Sequence, residues 1–215
     1  MKFFRLTILL LFISSIGIAQ QNSFGVNIKA YTPISKFKKN IDESVPFGLS
    51  VNYLMSKENS RYSLGGEIGV AMYSTNDYLL DHQGRDIEVN EEDCFWTVHG
   101  VVRYDLVRTD NLVVYAEARA GLTTFFSSTV PLESDTGYSG EFEFHGTAFN
   151  TGFGSGIQRR IGSNIWINVG ANLHSGSKVD YRYMPESDQS VSLEDGQYQS
   201  LSHYMGYRLG VSFDL

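Results

Sequence analysis

The sequence has a single cysteine, Cys94, so it can form neither an intrachain disulfide nor a cysteine-based zinc site. Proline is scarce, with 4 in 215 residues, while glycine reaches 21, so the chain is glycine-rich without being of low complexity. Positive charge is also short. Lys and Arg number 17 against 24 Asp and Glu, a net charge of −7, and no basic stripe is present to contact phosphates. Nucleic acid is therefore not expected as a partner. Beyond the first nineteen residues no long apolar run occurs, so no membrane-crossing helix is expected. What is present is 42% hydrophobic and 13% aromatic with 19% charged residues. That is too apolar for a disordered chain and enough for one core or one lipid-facing band.

The first nineteen residues read as a cleaved signal peptide. Lys2 and Arg5 form a positive start, and Leu6 to Ile18 is apolar apart from Thr7, Ser14, Ser15 and Gly17. Gly17 and Ala19 are small residues where a signal peptidase reads, which predicts cleavage before Gln20. The run is shorter than the ~20 residues of a spanning helix. No cysteine follows it, so a lipoprotein anchor is not expected. Residues 1–19 hold Lys2 and Arg5 and no Asp or Glu, so their removal takes the net charge from −7 to −9. Residues 20–215 are then one exported, acidic domain.

In that domain apolar residues alternate with polar ones in eight segments, the period of a strand with one apolar face. The first sets Phe24, Val26, Ile28 and Ala30 against Gly25, Asn27 and Lys29. The fifth sets Leu112, Val114, Ala116, Ala118, Ala120 and Leu122 against Glu117, Arg119, Gly121 and Thr123. The eighth sets Leu201, Met205, Tyr207, Leu209, Val211, Phe213 and Leu215 against Ser202, Gly206, Arg208, Gly210, Ser212 and Asp214. Three connectors are short: Ser56–Arg61, Val107–Asn111 and Arg160–Asn164. Four are long and are read as loops, near 32–46, 74–93, 126–145 and 175–199. An even strand count with turns at one end and loops at the other predicts an all-β fold, an eight-stranded antiparallel up-and-down transmembrane β-barrel. Both termini fall on the turn side, which is expected to be periplasmic.

Alternation does not say which face looks outward, since a soluble calyx alternates too. Glycine lies mainly on the polar face, where a narrow interior has little room. That face also carries charges of both signs, Lys29, Glu67, Arg103, Glu117, Arg119 and Arg208 with Asp214, which lipid would penalise. Aromatics sit near the strand ends of the apolar face, where the two membrane interfaces would lie. The apolar face is therefore expected to meet lipid. The six interior charges from Lys29 to Arg208 form the candidate site, a lumen charge network. Eight strands leave an interior that side chains fill, so a general solute pore is not expected.

The last residues, Tyr207, Leu209, Val211, Phe213 and Leu215 alternating with Arg208, Gly210, Ser212 and Asp214, resemble the terminal strand that marks outer-membrane proteins for barrel assembly, here ending on Leu215 rather than an aromatic. The Ala19-Gln20 junction is similar to signal peptides of the Bacteroidetes. The mature chain resembles the small eight-stranded outer-membrane barrels, the OmpA transmembrane domain and OmpX. The resemblance covers the barrel half of the OmpA pattern only, with no peptidoglycan-binding domain expected after Leu215. It implies a Gram-negative outer-membrane protein without cofactor, with a structural or surface-interaction role through long loops. Its implied partners are outer-membrane lipids, lipopolysaccharide, the barrel assembly machinery and an extracellular ligand or envelope protein. Two other roles stay open, a lipid A or phospholipid-modifying enzyme and an accessory subunit of an envelope secretion or assembly machine.

The remaining motifs read blandly. Asp81, Asp86, Glu88, Glu91, Glu92 and Asp93 in the second loop, with Glu186, Asp188, Glu194 and Asp195 in the fourth, lack calcium-loop spacing and are expected as a solvated acidic surface. Lys36, Lys38 and Lys39 beside Phe37 can touch lipid phosphates but are expected as a solvated loop. His174 with Ser175 and Ser177 misses by one position the His-x-Ser spacing of lipid A deacylases, so no catalytic or metal-binding residue is expected. Cys94 is placed at the start of strand four.

Overall fold

The computed structural model describes residues 21–34, 38, 45–82, 85–132, 142–182, 187–191 and 197–215. The signal-peptide reading of residues 1–19 lies outside them, as do Lys36, Phe37, Lys39, Glu186, Glu194 and Asp195.

Eleven strands are present in chain order: β1 Gln21–Pro33, β2 Phe47–Ser56, β3 Tyr62–His82, β4 Arg85–Arg108, β5 Leu112–Pro131, β6 Phe142–Arg160, β7 Ile165–Gly176, β8 Lys178–Arg182, β9 Ser187–Val191, β10 Gln197–Leu201 and β11 Tyr204–Asp214. Eight of them, β1 to β7 and β11, close into one antiparallel ring. β1 pairs with β2 on one side and with β11 on the other, so the sheet has no free edge at the seam. β8 and β10 form a separate two-stranded antiparallel sheet, and β9, which lies between them in the chain, runs parallel to part of β3.

The alternation sorts the wall into two faces. Along β7, Ile165, Ile167, Val169 and Leu173 are exposed while Trp166, Asn168, Asn172 and His174 are buried. On β11, Tyr207, Leu209 and Phe213 are exposed while Tyr204, Arg208 and Ser212 are buried. The apolar face is therefore on the outside and the charged face within, which is the inverse of a soluble calyx. Inward glycines let neighbouring strands and side chains fit this narrow interior. A Cβ on Gly121 would meet the Val98 carbonyl oxygen at 2.0 Å and the His99 Cα at 2.7 Å.

Three expected loops are corrected by the structure. Residues 74–93 continue β3 and β4 rather than leaving the sheet, and the two strands stay paired from Tyr62↔Tyr104 to His82↔Arg85 with one bulge between Met72 and Ser74. Of residues 126–145, those at 126–131 belong to β5 and those at 142–145 to β6, paired up to Thr129↔Phe142. The 175–199 region contains β8, β9 and part of β10. The physical reason is that period two persists in the supposed loops: Tyr78, Leu80, Ile87 and Val89 are buried on the inner side of the extended hairpin. Cys94 accordingly sits within β4, opposite Met72 and Phe126, rather than at its start. The eighth segment is also shorter than its alternation. Leu201 ends β10, and the closing strand begins at Tyr204 after a break at Ser202 and His203.

Candidate functional site

The interior is a filled column, and its layers follow from positions along β4 and β5. Nearest the short turns, Val113, Tyr115 and Trp166 form a small buried cluster. Above it lies the charge layer. Glu117 on β5 accepts bonds from three arginines: Arg119 Nε at 2.8 Å, Arg208 Nη2 at 2.7 Å and Arg103 Nη2 at 3.3 Å. Glu67 on β3 takes Arg119 Nη1 at 2.5 Å and the ammonium of Lys29. Arg119 thus bridges the two carboxylates. Arg208 Nη2 also donates to the Tyr115 hydroxyl at 2.5 Å, and that hydroxyl donates to Asn168 Oδ1 at 2.7 Å. The Tyr115 ring lies 3.9 Å from the Arg103 guanidinium carbon and 5.3 Å from that of Arg208, which is a cation–π contact on each. All six charged side chains are at most 5% exposed. The structure therefore brings Lys29, Glu67, Arg103, Glu117, Arg119 and Arg208 into one connected layer.

Desolvating this many charges is costly, and good hydrogen-bond geometry is what offsets it. The layer holds four cations and two carboxylates, so its pairing is shared rather than one to one. Removing Glu67 would leave Lys29 without its carboxylate, and removing Glu117 would do the same to Arg103 and Arg208, while Arg119 would keep one of the two.

Further from the short turns, the His99 and His174 rings meet tilted at 5.3 Å, and His174 stacks on Tyr204 at 4.6 Å. Next comes an apolar cluster with Tyr31, Ala71, Tyr73, Phe95, Phe125, Ala148, Val179, Tyr181 and Tyr204. Edge-to-face contacts at 5.1 and 5.4 Å join Tyr31 to Phe95 and to Tyr204. β8, paired with β10, contributes Val179 and Tyr181 to this cluster. This aromatic layer is absent from the sequence reading. Its signal is the adjacent pairs Phe95-Trp96 and Phe125-Phe126, where alternation fails because both faces are apolar.

The acidic residues of the second long segment divide between the faces of the extended hairpin. Asp81, Asp86, Glu88 and Glu92 are exposed, as expected of a solvated surface. Glu91 and Asp93 are not, being 1% and 0% exposed. Glu91 Oε2 accepts from the Tyr78 hydroxyl at 2.7 Å and from Thr129 Oγ1 at 3.0 Å. They are turned inward because the hairpin continues the strand period. Lys38 is exposed. Asp188 lies on β9. His174 points into the lumen while Ser175 and Ser177 are exposed, so the imidazole and the adjacent hydroxyl lie on opposite sides of the wall. Among the described residues no group of three or more His, Cys, Asp or Glu is assembled for a metal ion.

A ring of eight strands with apolar residues outside and a filled polar interior defines the architecture. The fold is that of the small outer-membrane β-barrels. Among solved structures, the chain is similar to a major outer membrane protein from Thermus thermophilus, with a TM-score of 0.56 at 12% identity, covering 90% of this chain and 99% of that one. It is also similar to Neisserial surface protein A, with a TM-score of 0.52 at 9% identity, covering 91% and 95%. No family model matches the sequence, and no curated protein matches it. At these identities the similarity speaks for the fold.

Proposed function

We propose that this chain is an integral outer-membrane barrel protein that works through its surface rather than as a conduit. The observation that carries this reading is the double seal of the lumen, one layer of shared ion pairs and one of aromatic rings, inside a wall whose outer face is apolar. An exposed belt of Val26, Ile28, Leu49, Val98, Leu122 and Leu209 suits lipid and would be an aggregation hazard in water. The part offered to a partner is then the projecting β3–β4 hairpin, whose outer face presents Asp77, Asp81, Asp86, Glu88 and Glu92. Residues 1–19 would direct export, and β11 would present the closing strand to the assembly machinery. With that polarity the short turns and both termini face the periplasm.

The test has two arms. Alkali-washed membranes should retain the protein, and the purified barrel in planar bilayers should show no steady, porin-like conductance. Release into the soluble periplasmic fraction would refute the membrane assignment. A stable large conductance would refute the sealed lumen.

A further inference from the structure

Between the charge layer and the short turns the lumen opens into a polar cavity of about 340 Å³, lined in part by Arg103, Gln158, Arg160, Trp166, Ser212 and Asp214. Two features of this cavity concern charge. First, the layer above it is unbalanced, with Lys29, Arg103, Arg119 and Arg208 sharing only Glu67 and Glu117 among the described residues. Arg103 is the least satisfied of the four. Its bond to Glu117 is 3.3 Å where Arg119 and Arg208 reach 2.7 Å, its side chain is 5% exposed, and its Nε, like that of Arg208, is buried with no hydrogen-bond partner among the described residues. Second, Arg160 at the rim is only half engaged. Its guanidinium lies over the Trp166 ring at 4.8 Å and its Nη2 stands 3.6 Å from Asp214 Oδ2, which already accepts from Trp166 Nε1 at 2.9 Å. Arg160 Nε is likewise buried and without a partner among the described residues.

Asp105, Asp110 and Asp214 also line the cavity, with Arg108 and Arg160 opposite them, so they reduce the excess without cancelling it. Asp105 is drawn toward Arg108 at 3.6 Å, Asp214 is shared between Arg160 and Trp166, and Asp110 sits at the exposed turn. An arginine with an unused donor beside a polar cavity is the chemistry that recognises an oxyanion. The cavity is too polar for an acyl chain, and it opens at the short-turn end of the barrel.

We infer that this cavity is a binding site for a small oxyanion of phosphate size, with Arg103 as its inner ligand and Arg160 as its outer one. The anion supplies the negative charge that the layer above lacks. The same headgroup chemistry belongs to anionic phospholipids, so the test separates the two sources.

Trp166 lines the cavity and serves as the reporter. The other tryptophan, Trp96, is half exposed on the outer wall and is removed by Trp96→Phe. The full-length barrel carrying that change is refolded in a phosphate-free maltoside detergent and titrated with inorganic phosphate, with sodium chloride at matched ionic strength as reference. A saturable change in Trp166 emission is expected with phosphate and not with chloride. Arg160→Gln, at the rim where folding tolerates change, should weaken the apparent affinity at least fivefold, and Arg103→Met at least tenfold. The same protein in phosphatidylglycerol vesicles should bind phosphate with unaltered affinity if the site takes the free anion. A response identical to that of chloride, an affinity unchanged in Arg160→Gln, or a signal seen only with phosphatidylglycerol would each overturn the proposal. None of these readouts depends on whether the lumen conducts.

Discussion

Glu117 is the residue on which the charge layer turns. It receives Arg103, Arg119 and Arg208, and its carboxylate is 0% exposed. Glu117→Gln keeps the shape and removes the charge, leaving Glu67 to face four buried cations. At an effective dielectric of ~20 an ion pair near 4 Å is worth ~4 kcal/mol. Breaking a buried pair by deleting one partner costs about 3–5 kcal/mol. Three arginines lose a partner here, so the upper end of that range, about 4–5 kcal/mol, is expected. Typical folding stabilities are about 5–15 kcal/mol, so the variant should fold with much of its margin gone. The measurement is urea unfolding and refolding in phosphatidylcholine vesicles, followed by tryptophan fluorescence, with the denaturant slope checked for equality with the unmodified protein. Glu88→Gln, on the exposed face of the hairpin, is the control and should change stability by less than ~0.5 kcal/mol. A loss below about 1 kcal/mol for Glu117→Gln would show that water screens the layer, and the argument for a tightly sealed interior would fail with it.

Two further outcomes test the wall. Leu209 is exposed and Arg208 buried on adjacent positions of β11, so Leu209→Arg should cost about 2–4 kcal/mol if it lies near the bilayer midplane, and less toward an interface; a harmless Leu209→Arg beside an equally harmless Arg208→Leu would invert the faces. Gly121→Ala forces a Cβ onto the backbone of β4 and should cost about 2 kcal/mol or more, whereas Gly100→Ala, whose Cβ meets nothing closer than the Ala120 carbonyl oxygen at 3.6 Å, should be close to neutral or stabilising; equal effects in the vesicle unfolding assay would refute the steric reading.

The eight barrel strands are legible because one apolar face per strand leaves a period that short-range reading detects. The hairpin extension is misread for a compositional reason. Its outward positions are Asp, Glu and Asn, residues depleted in strands, and they mask an inward series of Tyr78, Leu80, Ile87 and Val89 that keeps the period. The end of the eighth segment fails differently, since the alternation runs from Leu201 into β11 across a break that period alone does not register. Parity along the chain points the charged residues inward, but which carboxylate serves which cation depends on how the ring closes. Lys29 and Glu67 sit on β1 and β3 with β2 between them, and Arg208 reaches Glu117 from across the sheet order. The aromatic layer escapes because Phe95 and Phe125 stand beside outward aromatics, so an inward plug looks like a longer apolar run.

The seam between β1 and β11 makes the first and last strands of the barrel partners, from Ser23↔Asp214 to Pro33↔Tyr204. Sequence separation across that seam is close to the greatest the domain allows, so the contact that completes the ring is also its least local. Contacts of this kind are slow to form, because the whole intervening chain must be positioned before they yield anything. Until β11 arrives, β1 and β7 each present an open row of backbone donors and acceptors, which a hydrocarbon environment does not tolerate. Completion of the wall thus depends on the closing strand β11. Losing a few residues from it would not trim the barrel but leave it unclosed, with two edges ready to pair with the wrong chain.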